Sequence, residues 1–323
     1  MRVLFAGTPA PALPTAQMLL DSEHVLVGVL TKADAPTGRG RKLSPCPVKA
    51  FAEEHNLPYF TEKPEGQEFL DFIQQTKPDV IVVVAYGHLI KDEYLEVVQH
   101  GWVNLHFSLL PALRGAAPVQ WAIIWGETLT GATTFKISKG IDTGEIYGTL
   151  TEVIKANDTS GELLGRLSVS GAPLMEKTLQ ALESGQLIGQ KQSPDGISYA
   201  PKITPADTQI RWDLPAAIID RLIRGAHPAP GAWSSLGGVR IGVEPISLEV
   251  PENLEKLAPG ELLVTKKTVY VGCADRNIAL QNIVPKGKKS MPAADWARGA
   301  HLEAGTRFEP PCNTANPQAP GAK

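Results

Sequence analysis

The 323-residue sequence has no run approaching the roughly 20 apolar residues needed to cross a bilayer. A membrane-spanning helix is therefore excluded from its expectations. The first residues, Met1-Arg2-Val3-Leu4-Phe5-Ala6-Gly7, are too short and too abruptly turned for a secretory signal, so a first buried strand and a cytoplasmic location are expected. There are only three cysteines, Cys46, Cys273 and Cys312, widely spaced and odd in number, which argues for neither a disulfide framework nor a zinc site. No internal repeat stands out. The net charge is only −3, and no dense basic stretch of the kind that dominates sequence-independent phosphate binding is present.

What is present is an ordinary globular composition, 43% hydrophobic and 20% charged, in a chain long enough for two domains of unequal size. Residues 209–308 carry 13 Lys+Arg against 10 Asp+Glu and residues 309–323 are neutral, which leaves −6 on residues 1–208. The C-terminal part is thus mildly basic.

The first half alternates strand and helix signals. Continuous apolar runs at Val3–Ala6, Val25–Leu30, Val80–Ala85 and Trp102–Leu105 predict strands covered on both faces, hence a mostly parallel sheet. Helices are predicted up to Leu20, over Pro118–Trp125 and over Thr159–Glu183, the last capped by Asp158 or Thr159. Ala132–Ile137 and Glu145–Val153 look like later strands. Beyond a polar stretch containing Pro and Gly come a short helix (Pro215–Arg224) and short strand-like pieces, clearest at Arg240–Val243, Gly260–Val264, Thr268–Cys273 and Ile278–Ile283. The expected fold is a Rossmann-like α/β domain with helices on both faces (1–189), a linker (190–208), a smaller β-barrel domain (209–308) and a disordered tail (309–323).

Asn104 and His106 end the fourth buried run, and two residues apart in a strand they point to the same side. Ligands of open α/β sheets bind at the carboxyl ends of the strands. Asp142 sits in Lys139-Gly140-Ile141-Asp142-Thr143-Gly144, where flanking glycines allow a tight turn. An amide to hold an oxyanion, an imidazole to move protons and a carboxylate to orient it form a competent set for acyl transfer between nitrogens. Neither a serine nor a cysteine is placed as an obvious covalent nucleophile, so direct attack by an amine is the simpler chemistry. Taken alone, however, an Asn-x-His at a strand end is usually a loop-capping pair and a Gly-x-Asp-x-Gly usually a turn.

Two motifs in order reverse those odds. Asn104-Leu105-His106-Phe107-Ser108-Leu109-Leu110-Pro111, with Arg114-Gly115 downstream, resembles the signature of the folate-dependent formyltransferases. Gly140-Ile141-Asp142-Thr143-Gly144 resembles that family's second motif. The resemblance covers about residues 2–308. It implies that Asn104, His106 and Asp142 form the catalytic trio, that 10-formyltetrahydrofolate is the formyl donor with no metal involved, and that the second domain is an OB-like barrel. It further implies that Ser108, Leu109, Leu110 and Pro111 line the folate site and that the backbone around Tyr86 and Gly87 borders the pterin. His88 departs from the apolar residue usual at its position and is expected at the surface.

The trio is shared by relatives that formylate glycinamide ribonucleotide or amino-sugar nucleotides and by formyl-folate hydrolases. Gly38-Arg39-Gly40-Arg41-Lys42-Leu43, followed by Pro47-Val48-Lys49, resembles the loop of the branch that formylates methionyl-tRNA. By that match Arg39, Arg41 and Lys42 contact tRNA, and Lys286 and Lys288 offer a second basic cluster. The implied partner is initiator methionyl-tRNA, bound by a monomer away from membranes. The alternatives are a sugar-nucleotide formyltransferase, a formyl-folate hydrolase, or a non-catalytic RNA-binding protein on the same scaffold.

Overall fold

The computed structural model describes residues 1–37 and 42–311. The chain falls into two compact units: 1–115, 129–153 and 164–199 form the first, and 116–128, 154–163 and the chain from 200 onward form the second.

The first unit is built on β1 (Arg2–Gly7), β2 (Val25–Leu30), β5 (Tyr59–Phe60), β6 (Val80–Val84), β7 (Trp102–His106), β8 (Leu129–Lys136) and β9 (Ile146–Val153). Their order across the sheet is β5-β2-β1-β6-β7-β8-β9. The pairs from β5 to β7 are parallel, and β8 and β9 join antiparallel. Every residue of β6 is buried, as its unbroken run of valine and isoleucine requires for a strand covered on both faces. On one face Leu4, Ala6, Ile81, Val83 and Trp102 pack with Phe69, Phe72 and Ile73 of α3 (Gly66–Thr76). On the other, Leu105 lies against Gly171 of α5 (Ser160–Glu183). The mostly parallel, Rossmann-like sheet expected from the sequence is therefore present. α1 (Leu13–Asp21) and α2 (Pro47–Glu54) complete the strand-helix alternation.

The insertion after β2 forms a two-stranded ribbon of its own, β3 (Ala35–Thr37) with β4 (Lys42–Ser44). It stays out of the main sheet, and Lys49 at its base is held by Asp34 at 2.5 Å.

The second unit contains α4 (Pro118–Trp125), which packs on α6 (Ala216–Ala226). Thr159 caps the start of α5 through a reciprocal box: Glu162 Oε2 accepts from the Thr159 amide and hydroxyl, while the Glu162 amide donates to Thr159 Oγ1. The C-terminal strands are antiparallel and lie in two sheets. One runs β10 (Ala232–Leu236), β11 (Val239–Val243), β15 (Asn282–Pro285), β16 (Met291–Pro292); the other β12 (Leu262–Val264), β13 (Val269–Gly272), β14 (Asn277–Leu280). Ile210, Trp212, Ile223, Val271, Ile283 and Phe308 are among their shared core, joined by α7 (Ala293–Ala300), and the Trp212 and Phe308 rings stack at 5.3 Å. This antiparallel region stands where a small barrel was expected.

Three readings need correction. The run Ile278–Ile283 is two strands, broken at Gln281, because the chain leaves one sheet there and enters the other. The supposed linker is fixed to the first unit along much of its length, with Gln190 bridging Ile146 and Tyr199 bridging Arg114. Glu309, assigned to a disordered tail, accepts hydrogen bonds from Ser235 Oγ and the Gly238 amide. Residues 312–323 lie outside the described residues.

Candidate active site

β7 presents Asn104 and His106 on the same face as Trp102, near the carboxyl end of the sheet, with Val83 of β6 and Phe135 of β8 flanking Asn104. Asn104 is half-buried, and among the described residues its side-chain amide has no hydrogen-bond partner. A half-buried amide left open in this way is free to bond to a ligand.

His106 is held differently. Its side chain is 6% exposed, and Nε2 lies 2.9 Å from the carbonyl oxygen of Leu113. A carbonyl can only accept, so Nε2 carries a proton and Nδ1 is left as the basic nitrogen of the neutral ring. Nδ1 faces Asp142 Oδ2 at 3.7 Å, too long for a hydrogen bond but close enough for an ion pair once Nδ1 takes a proton. The sequence-based expectation that Asp142 orients the imidazole is thereby amended. The Leu113 carbonyl orients the ring, and the carboxylate stands opposite its free nitrogen.

Asp142 occupies the left-handed region (φ 51°), as do Leu113 (φ 61°) and Ala85 (φ 49°) near the ends of the neighbouring strands. Non-glycine residues in that region cost of order 1 kcal/mol or more each and persist where surrounding contacts over-determine them. Here the contacts can be named. Asp142 Oδ2 accepts from the Gly115 amide at 2.7 Å, and the Asp142 and Gly144 carbonyls accept from Gln192 Nε2 at 2.8 and 2.9 Å. Gly144 is required by closeness: a Cβ there would lie 1.6 Å from the Lys136 carbonyl oxygen. The Leu113 amide donates to Ser198 Oγ and the Arg114 amide to the Ser198 carbonyl, both at 2.9 Å. Gln192 and Ser198 had no signal in the sequence, since both sit in the polar stretch read as a linker.

In the Ser108–Pro111 segment, expected at a folate site, several side chains are turned inward. Ser108 is fully buried, and its hydroxyl donates to the Ala112 carbonyl. Leu109 packs over Gly131, and Leu110 is anchored by its amide on Thr133 Oγ1. Pro111 is half-buried. The Tyr86 ring is 2% exposed, with its pKa pushed up by burial. The backbone beside it is open: Gly87, at φ 78°, is exposed, and Lys32 Nζ lies where a side chain would begin. His88, expected at the surface, packs edge-on to Tyr86 with Nε2 buried, and burial and then the Lys32 and Lys63 charges lower its pKa.

Of the basic residues, Arg39 and Arg41 lie outside the described residues, as does the side chain of Lys42. Lys286 and Lys288 are exposed on the turn between β15 and β16 of the second unit, and no ion pair among the described residues holds them. Among the described residues no cluster of three metal-binding side chains occurs.

A family model for formyl transferase matches residues 1–179, and one for the formyl transferase C-terminal domain matches residues 202–301. The chain belongs to the formyl transferase family. Its sequence is 52% identical over 305 residues to the methionyl-tRNA formyltransferase of Mycobacteroides abscessus, spanning 94% of this chain and 98% of the relative. It is 50% identical over 308 residues to the enzyme of the same name from Salinispora tropica, spanning 94% and 99%. A solved variant of HypX from Aquifex aeolicus shares the fold, with a TM-score of 0.68 at 18% identity, covering 93% of this chain and 47% of HypX. In this formyl transferase the N-terminal match holds Asn104, His106 and Asp142 together, and the C-terminal match holds Lys286 and Lys288.

Proposed function

We propose that this formyl transferase moves a formyl group from 10-formyltetrahydrofolate to the free α-amine of methionyl-tRNA, producing N-formylmethionyl-tRNA for translation initiation in the cytoplasm. The observation that carries the chemistry is the grouping of an open Asn104 amide with an imidazole whose basic nitrogen faces a carboxylate. The acceptor is supported by relatives of that name, about half identical along nearly the whole chain.

The donor supplies a formyl carbon carried as an amide. Asn104 donates a hydrogen bond to the formyl oxygen as negative charge builds on it, a contribution of about 3–4 kcal/mol in comparable sites. His106 takes the proton from the attacking amine at Nδ1, and Asp142 stabilises the imidazolium so formed. The same proton then passes to the departing folate nitrogen, which leaves His106 as it began. The set needs no metal ion for these steps. The exposed backbone at Gly87 and the Ser108–Pro111 turn would border the folate, and the open amide of Asn104 fits such a ligand. Arg39, Arg41 and Lys42 would grip the tRNA acceptor stem, with Lys286 and Lys288 adding phosphate contacts from the second unit; a monomer suffices.

The test is acceptor choice. The purified protein is incubated with 10-formyltetrahydrofolate and, separately, charged initiator tRNA, an amino-sugar nucleotide, or water alone. The expected product is N-formylmethionine, recovered after ester hydrolysis of the tRNA. Sugar formylation, or formate release at a comparable rate without tRNA, would overturn the acceptor.

A further inference from the structure

Gln192 makes four hydrogen bonds with a single side-chain amide. Nε2 donates to the Asp142 and Gly144 carbonyls at 2.8 and 2.9 Å, and Oε1 accepts from Arg114 Nε at 3.1 Å and Nη2 at 2.6 Å. Its two ends therefore join two loops that are far apart in sequence. One carries Asp142. The other runs from His106 to Gly115 and supplies the Leu113 carbonyl that orients His106 and the Gly115 amide that binds Asp142.

Arg114 is 7% exposed and has no carboxylate within 4.0 Å among the described residues. A buried guanidinium without a counter-charge is costly, and its persistence calls for a use. Its planar fork fixes the orientation of the Gln192 amide, because only Oε1 can face two N–H donors. With Oε1 so placed, Nε2 must point at the Asp142 loop. Asp142 itself holds a left-handed conformation, which two inward-drawn carbonyls on either side of Thr143 help to impose.

We propose that Gln192 is a positioning residue for formyl transfer: oriented by Arg114, it clamps the Asp142 loop so that the carboxylate stays opposite His106 Nδ1. This rests on the catalytic reading of Asp142 given above. Gln192 touches no reacting atom and acts through Asp142.

The test uses Gln192→Glu, which keeps the length and the acceptor for Arg114 but places a carboxylate oxygen against the two loop carbonyls. Formyl transfer to charged initiator tRNA is measured for this variant, for Gln192→Ala, for Asp142→Ala and for Gln192→Glu/Asp142→Ala. Both Gln192 variants are expected to lose about 10- to 100-fold in kcat, with KM for the formyl-folate within about threefold. In the Asp142→Ala background the Gln192→Glu change should cost nothing further, since a residue acting through Asp142 has nothing left to position. A kcat for Gln192→Glu within twofold of the unaltered protein, or a second loss of the same size in the Asp142→Ala background, would overturn the proposal. Should Asp142→Ala itself retain full kcat, the catalytic reading of Asp142 would fall instead, which separates the two failures.

Discussion

The loop that presents Asp142 and the turn that presents Lys286 and Lys288 are both short and both contain glycine, yet they are held very differently. The Asp142 loop is fixed by Gln192 through two carbonyls, by the Gly115 amide on its carboxylate, and by Gly144 pressed against the Lys136 carbonyl. The lysine turn stands exposed around Gly287, where an added Cβ would meet nothing within 4 Å. The contrast follows the chemistry asked of each. A carboxylate that must meet one nitrogen loses its effect with a displacement of about 1 Å. A lysine seeking a phosphate works better with reach than with a fixed place.

The largest expected effect lies in the fixed region. Asn104→Ala and Asp142→Ala should each lower kcat by about 10²–10⁴-fold in folded protein, the second with a lower melting temperature because the Gly115 amide loses its acceptor, as steady-state formylation and thermal unfolding would show. Comparable kcat in a folded variant would remove that residue from the chemistry.

Paired glycine substitutions sharpen the comparison. Gly144→Ala should cost several kcal/mol of stability and about 10-fold or more in kcat, because its Cβ collides with backbone that cannot move aside. Gly287→Ala meets only the left-handed penalty of about 1 kcal/mol and should leave kcat unchanged. Equal effects at the two sites would erase the distinction.

Replacing Lys286 and Lys288 together by alanine should raise the KM for charged tRNA a few-fold and spare kcat. The salt dependence of tRNA binding should flatten by about one unit of log–log slope per lysine. An unchanged slope would make the turn ordinary solvated surface.

The smallest effect is expected at His88. Burial first, and then the Lys32 and Lys63 charges, depress its pKa in the folded protein. As pH falls below the ordinary value of about 6.5, the unfolded chain takes up a proton that the folded protein resists, so stability present above that pH is lost. His88→Leu should therefore gain in melting temperature relative to the unaltered protein at pH 5 compared with pH 7.5. A pH-independent difference would mean that His88 does not titrate in this way.

Much of the fold was legible because burial leaves a periodic mark. The apolar runs at Val25–Leu30 and Val80–Val84 are strands, and Pro118–Trp125 is a helix over the same residues that its pattern marks. α2, α3 and β10 were not marked in advance, nor was the break at Gln281, where an apolar run continues while the chain changes sheets. The site divides in the same way. Asn104, His106 and Asp142 were legible from motif spacing, and the structure brings His106 and Asp142 within 3.7 Å. The Leu113 carbonyl, Ser198 and Gln192, which hold them, could not be read, because a backbone oxygen has no residue identity and a polar side chain in a linker-like stretch gives no periodic signal. Nor does a motif say which atoms of its residues are free to meet a ligand: the Ser108 hydroxyl is spent on the Ala112 carbonyl and the Tyr86 ring is buried.

The most direct test of the central claim is the single-turnover rate of N-formylmethionine formation by His106→Ala, with 10-formyltetrahydrofolate saturating and charged initiator tRNA limiting. The unaltered protein should formylate the tRNA, and the variant, folded and still binding folate, should do so at least about 10²-fold more slowly. Formation of N-formylmethionine within about threefold of the unaltered rate would contradict the assignment of proton transfer to His106.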